Sequence, residues 1–251
     1  MAKVVALGTA AAVPSEAHAT TYLAVEGEQG FLLIDCGDSP VVRIGRAGLM
    51  LERLRGLIIT HFHPDHACSI PVLLMNIWLL GRAAPLPVYG LQDAVDRFKA
   101  MMDLFRWDEW PGLFEVPRYA VAEDVGAKVL EDDEFRVTGA PVHHLVPTLG
   151  LRIENKRTGG VLAYSSDTSP ADEVVALARN ADILIHEAAK DTPGHSSAAQ
   201  AGEIARRAGA GRLVLIHYRP SPQKYERWLT EASAAFGGPV ELAQDFGEYV
   251  F

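Results

Sequence analysis

The stretch Thr60-His61-Phe62-His63-Pro64-Asp65-His66 decides how this chain is read. It follows Leu57-Ile58-Ile59, an apolar run with the pattern of a buried strand. In extended backbone, residues two apart point to the same face, so His61 and His63 present their rings together. Pro64 lacks an N–H and ends the ladder. Asp65 and His66 then open a helix, where Asp65 either caps the first turn or turns toward a metal. The positive end of a helix disfavours imidazolium at His66, and a neutral imidazole is what a metal needs. Imidazoles and a carboxylate crowded in this way suit zinc or another borderline divalent ion. A polar loop with a capping aspartate and exposed histidines would not call for so many donors at this spacing.

Further donors stand at the ends of later strand patterns. Asp167 follows Val161-Leu162-Ala163-Tyr164, and His217 follows Leu213-Val214-Leu215-Ile216. An ionisable side chain at the end of a buried strand is costly unless it is paired or metal-bound. The pair His143-His144 adds one more donor, because adjacent residues of an extended chain face opposite ways. Together these residues supply enough ligands for two divalent metals and one shared carboxylate.

Outward from these points the chain alternates strands and helices. Strand patterns cover 4–7, 21–25, 31–34, 57–60, 146–153, 160–164, 182–186 and 212–217. Helices fit 65–80, 92–105, 171–179, 196–208 and 223–235, and the C-terminal end is extended. This order predicts a layered α/β fold. No repeat or linker divides the sequence, so residues 1–251 are expected to form one domain. Met101, Met102, Phe105, Trp107, Trp110 and Phe114 form either an apolar lid, a subunit contact or core under a long loop. The run Glu131-Asp132-Asp133-Glu134 is expected to be a solvated turn, and His18 a surface residue.

The 251 residues are 49% hydrophobic and 22% charged, an ordinary globular balance that excludes wholesale disorder. Lys and Arg number 23 against 32 Asp and Glu, a net charge of −9 that argues against a main role in gripping nucleic acid. Cys36 and Cys68 are too few for a disulfide framework. No apolar run spans a bilayer, so no membrane partner is expected. The first residues faintly match a secretory leader, but Gly8, Thr9 and Pro14 break the apolar run. A first strand and a cytoplasmic location fit better.

His61-x-His63-x-Asp65-His66, with His144, Asp167 and His217 following in that order, resembles the metallo-β-lactamase superfamily. The resemblance covers nearly the whole chain. Leu7-Gly8-Thr9 with Pro14, Asp35-Cys36-Gly37, His144 with Pro147 and Gly150, Tyr164-Ser165-Ser166-Asp167, His186-Glu187-Ala188 and Gly194-His195-Ser196 are similar to segments of its ribonuclease Z-like branch. The fold implied is a four-layer αββα sandwich with the metal site at one edge of the two sheets. The resemblance implies that His61, His63 and His144 hold one metal, that Asp65, His66 and His217 hold the other, and that Asp167 bridges them. It favours His144 over His143, through Pro147 and Gly150. It also implies that His195, assisted by Glu187, acts on the substrate as a catalytic group, with Asp65 orienting the attacking hydroxide. His186 reads as a structural hydrogen-bonding residue.

These residues point to a binuclear hydrolase using two divalent ions, zinc first, with Mn2+ or Fe2+ as alternatives. The leading substrate is a small or short phosphodiester. The alternatives are a carboxylic ester, lactone or sulfate ester, tRNA 3′ processing, and a metal-stabilised binding protein without turnover. A di-iron redox protein is disfavoured by His63, where such members typically carry a carboxylate. Short-form ribonuclease Z inserts a tRNA-gripping arm between the positions of His144 and Asp167. Here only residues 145–166 lie between them, and Ala189 stands where the branch favours Thr. Both departures make tRNA an unlikely substrate. A homodimer is left open.

Overall fold

The computed structural model of the chain describes residues 1–190 and 192–251. Strands β1 (Lys3–Gly8), β2 (Tyr22–Gly27), β3 (Gly30–Ile34), β4 (Leu54–Ile59), β5 (Val88–Leu91), β6 (Arg118–Val121) and β14 (Glu248–Val250) build one sheet in the order β14-β1-β2-β3-β4-β5-β6. The second sheet contains β7 (Ala127–Glu131), β8 (Phe135–Val142), β9 (Thr148–Asn155), β10 (Val161–Tyr164), β11 (Ile183–Glu187), β12 (Arg212–Ile216) and β13 (Val240–Leu242). Its order is β13-β12-β11-β10-β9-β8-β7.

Strand residues alternate between two apolar environments. Val4, Leu23, Leu32 and Ile34 pack against Leu151, Leu162, Ile185 and Val214 of the other sheet. Their neighbours Val5, Tyr22, Phe31 and Leu33 face outward, under helices α1 (Pro40–Arg46), α3 (Ile70–Leu79) and α4 (Gln92–Leu104). On the second sheet, Leu184, Leu213 and Leu215 lie under α5 (Asp172–Leu177), α6 (Ala198–Ala208) and α7 (Pro222–Phe236). Strands covered on both faces read as continuous apolar runs, which makes them legible in the sequence. The result is the four-layer αββα sandwich. Among the described residues, no helix is long and apolar enough to cross a membrane.

Strands β3 to β6 are parallel, as are β10 to β13. Strand β8 runs antiparallel to β9, and β9 antiparallel to β10, so β8 also points the same way as β10. The sheets are joined at this end by Leu149 N–H donating to Thr60 O at 2.9 Å. Carboxyl ends of parallel strands are where α/β folds place ligands.

Several expectations are corrected here. The helix over 65–80 is two helices, α2 (Pro64–Ala67) and α3, because Pro71 has no N–H and Ser69 N–H donates to Cys36 O at 3.0 Å. The stretch before His143 contains β5 to β8, of which β5 to β7 are only four or five residues long, and their Gly, Pro, Ala and charged residues hide the apolar alternation. Met102, Trp107 and Phe114 are buried in the core under the first sheet, with Met101 and Trp110 packed against it, whereas Phe105 is exposed. Of the run 131–134, Glu131 closes β7 and only 132–134 turn, yet Glu134 is buried. It accepts N–H groups from Glu28 at 2.5 Å and Gln29 at 3.1 Å and faces Arg55.

His18 is also buried rather than at the surface. Thr9 Oγ1 lies 2.8 Å from its Nδ1 and donates to Asp245 Oδ1 at 2.6 Å. Asp245 Oδ2 accepts Ala19 N–H at 2.8 Å and pairs with Arg43. This network ties down both ends of the loop that places Ala11 to Val13 beside the site described below. Asp245→Ala leaves the little-exposed Arg43 guanidinium unpaired, so it should cost roughly 3 kcal/mol of stability. Denaturant unfolding measures this, and an unchanged midpoint would remove the network from the stability account.

Candidate active site

Apart from His195, which precedes α6, each candidate site residue closes a strand or follows one. His61, His63, Asp65 and His66 continue β4; His144 follows β8; Asp167 follows β10; Glu187 closes β11; His217 follows β12. Three of the turning points require left-handed backbone at non-glycine residues: Asp35 at φ 63°, Ser166 at φ 53° and His217 at φ 52°. Such conformations are costly, and they cluster where a fold holds side chains against a site.

Nitrogens of three histidines converge on one side. His61 Nε2 and His144 Nε2 each lie 3.1 Å from His63 Nδ1. His144 Nδ1 donates to Gly194 O at 2.7 Å, which turns its Nε2 inward. His143 instead faces out, its side chain 62% exposed and 3.5 Å from Glu173. On the other side, His66 Nε2 is 3.5 Å from Asp65 Oδ2, and His217 Nε2 is 3.0 Å from Asp167 Oδ2. Asp167 Oδ2 also lies 3.6 Å from His66 Nε2 and 3.9 Å from both His61 Nε2 and His144 Nε2. One carboxylate oxygen thus sits between the two groups of imidazoles.

Electrostatics prepare the donors. Burial pushes His61 well below the ordinary imidazole range and lowers His63 and His144, so all three stay neutral with lone pairs free. Burial opposes charge on Asp167, but His217 and His66 outweigh it and hold its pKa well below the usual carboxylate range. Burial also opposes charge on His66, yet Asp167 and Asp35 hold its pKa well above normal.

Asp35 belongs to a quoted sequence motif, yet nothing in the sequence assigns it a role. It is fully buried and accepts Thr60 N–H at 2.8 Å and Thr60 Oγ1–H at 2.7 Å. It also accepts His66 Nδ1–H at 2.9 Å, which aims Nε2 at the cluster. A carboxylate behind a histidine in this way fixes the tautomer that presents the other nitrogen. The signal that could have found it is its position, since Asp35 closes a buried strand just as Asp167 follows one.

Fit to a metal is tested by what the protein leaves unsatisfied. His66 Nε2 and Asp167 Oδ1 are buried without a hydrogen-bond partner, which is costly in protein alone. His61, His63 and His144, then Asp65, His66 and His217, each offer ligand atoms within 4.8 Å of one another, and Asp167 groups with His61 and His66. Imidazole nitrogens and carboxylate oxygens at that spacing fit borderline divalent ions, whose binding would displace the proton on His66.

Beside the cluster, His195 Nδ1 donates to Glu187 Oε1 at 3.0 Å. Glu187 is buried and also accepts N–H groups from Thr168 at 3.1 Å, Ser196 at 3.1 Å and Ala189 at 2.8 Å. The His195 ring lies edge-on to His144 at 5.0 Å and parallel to His217 at 6.0 Å. His186 donates Nδ1–H to Glu187 O at 2.8 Å, and burial lowers its pKa to about 4, so it is neutral. A cavity of about 480 Å³ opens over His63, Asp65, Asp167, His195 and His217.

The fold and this strand-end cluster define a metal-dependent hydrolase of the β-lactamase type. The family model described as Beta-lactamase superfamily domain matches residues 31–218. The chain belongs to the metallo-β-lactamase superfamily, in its ribonuclease Z-like branch. It is 31% identical to the ribonuclease Z of Mycobacterium sp. (strain KMS) over 271 aligned residues, covering 98% of this chain and 94% of that protein. The metallo-β-lactamase fold protein YhfI from Bacillus subtilis superposes with a TM-score of 0.82 at 26% identity, covering 99% of this chain and 98% of that one. Human tRNase Z, short form, does so with a TM-score of 0.80 at 26% identity, with the same coverage.

Proposed function

We propose that residues 1–251 form one binuclear hydrolase domain that cleaves small phosphodiesters in the cytoplasm, with zinc as the metal. The observation that carries this reading is Asp167 Oδ2, set 3.0 to 3.9 Å from imidazole nitrogens of both histidine groups. In this reading His61, His63 and His144 hold one ion, Asp65, His66 and His217 hold the second, and Asp167 serves both. Two divalent ions would polarise a phosphate oxygen and make water nucleophilic at neutral pH.

The protein's own groups do the rest. Asp35 fixes the tautomer of His66, and Gly194 O fixes that of His144. Asp65 orients the attacking water with the oxygen it turns to the site. His195, held by Glu187, delivers a proton to the leaving oxygen. Free Cys36 and Cys68 accord with a reducing compartment. Elemental analysis of protein purified without chelator should find two divalent ions per chain, and the loaded protein should hydrolyse bis(p-nitrophenyl) phosphate. Metal content near zero after zinc or manganese supplementation would sink this reading. Two metals with hydrolysis of a lactone or sulfate ester instead would move it to another substrate class.

The names of the relatives favour tRNA processing as a second reading. Between His144 and Asp167, however, the chain forms β9, a turn and β10. Asn155 N–H donates to Gly160 O at 2.9 Å and Gly159 N–H to Asn155 O at 2.8 Å, so the connection is closed tightly. That segment has no projecting surface to carry Lys and Arg along a tRNA backbone, and the net charge of −9 repels polyanions. A tRNA precursor should therefore be cleaved far less efficiently than a small phosphodiester. Comparing the two at low and physiological salt checks this. Efficient, salt-sensitive cleavage at the tRNA 3′ site would show that another segment does the gripping.

A further inference from the structure

The walls of the cavity that do not hold metal-ligand candidates carry two cations, Lys190 and Arg219. Both are exposed, and neither makes an ion pair or side-chain hydrogen bond among the described residues. Three arginines of this part of the molecule are engaged: Arg227 with Glu231, Arg207 with Asp172, Arg212 with Glu241. Lys128 and Arg179 also lack ion pairs among the described residues, but Lys190 and Arg219 meet at one cavity, the one that holds the metal-ligand candidates. The residues that precede them are held at the site. Lys190 lies three residues past Glu187, whose Oε2 accepts Ala189 N–H at 2.8 Å. Arg219 lies two residues past His217, next to Tyr218, whose carbonyl accepts Ala11 N–H at 3.0 Å. Lys190 further lines a neighbouring cavity of about 300 Å³ together with Lys224 and Trp228, and Lys224 has no ion-pair partner among the described residues.

We propose that this cavity takes a phosphodiester bearing a second, terminal phosphate, and that Lys190 and Arg219 bind that phosphate while the scissile one faces the metal-ligand cluster. The inference rests on the phosphodiesterase reading above. A cavity of about 480 Å³ is larger than a lone phosphate needs and suits a small organic ester. A phosphate monoester carries about −1.5 to −2 at neutral pH, which two cations match. Arg offers a planar fork for two of its oxygens, and Lys a point charge. The substrate class is thus a nucleotide-sized diester ending in a phosphomonoester, rather than a long polyanion.

The test compares two probes on the zinc-loaded full chain: thymidine 5′-(p-nitrophenyl phosphate) and the same ester carrying a 3′-phosphate. The 3′-phosphorylated probe should show a kcat/KM about tenfold or more higher, the value of one or two charge-assisted hydrogen bonds. Lys190→Ala and Arg219→Ala should each shrink that ratio, and the double variant should bring it near one. Lys128→Ala, which removes a charge elsewhere, should leave the ratio intact. A ratio near one in the parent, a ratio that survives the double variant, or one that collapses with Lys128→Ala would overturn the proposal. If neither probe is hydrolysed, the phosphodiesterase reading fails, and calorimetric titration with thymidine 3′,5′-bisphosphate against thymidine 5′-monophosphate decides the subsite. Tighter binding of the bisphosphate, lost in the double variant, supports it; equal affinities overturn it.

Discussion

Asp167→Ala should release metal from both halves of the centre and bring hydrolysis down to the uncatalysed background. In the parent, Asp167 Oδ2 is the one carboxylate oxygen among the described residues placed near four histidines, 3.0 Å from His217 and 3.9 Å from His61 and His144 at its farthest. Remove it, and the imidazoles remain but the central negative charge does not. Asp65 is then the carboxylate left facing the cluster, 3.5 Å from His66. Two divalent cations would meet each other's repulsion with half of that counter-charge gone. Loss of residues that merely touch a ligand weakens metal sites roughly 10- to 100-fold, so loss of a shared ligand should exceed about 10²-fold. Asp167→Asn separates charge from shape, since it keeps the hydrogen-bonding outline and removes the anion. Dialysis against graded zinc buffers, followed by elemental analysis, reads both affinities. Unchanged affinities in Asp167→Ala would remove Asp167 from the bridging role.

The residues that surround Asp167 are largely legible without any coordinates, for one physical reason. Strands buried on both faces, such as β4, β10, β11 and β12, carry apolar runs through most of their length, so a His or Asp just past them stands out against the run. His61, Asp167 and His217 announce themselves in this way. Asp35 obeys the same rule after Phe31-Leu32-Leu33-Ile34, but it is separated from the other donors in sequence and faces the back of His66. Only the fold reveals that contact.

Other features are hidden because local sequence does not encode them. Strands β5 and β6 are four residues each and include Gly90 and the exposed Arg118 and Tyr119, so alternation has too few residues to show. Their pairing with β4 is what makes them strands. His18 sits in a Ser, Glu and Ala setting that reads as surface. Its burial depends on Asp245, far along the chain, reaching Thr9. Lys190 and Arg219 likewise look like ordinary surface cations until the ends of β11 and β12 bring them to one cavity.

His195→Ala should leave both metals in place and lower turnover on an unactivated diester by roughly 10² to 10⁴, the usual contribution of a positioned acid. Glu187 Oε1 accepts from His195 Nδ1, so Nε2 is the nitrogen free to meet substrate. The same ring also offers an atom within 4.8 Å of donors on His144 and Asp167, so a ligand role has to be separated from a catalytic one. Metal content does so: a ligand leaves with its metal, an acid does not. The leaving group gives an independent reading. p-Nitrophenolate departs without a proton, so the His195→Ala substitution should cost little on its esters and far more on a dinucleotide, whose alkoxide must be protonated. A group that only steadied charge on the phosphoryl oxygens would lose the same factor on both. Equal losses would therefore reject proton donation by His195, and loss of metal would reassign it to the ligand set.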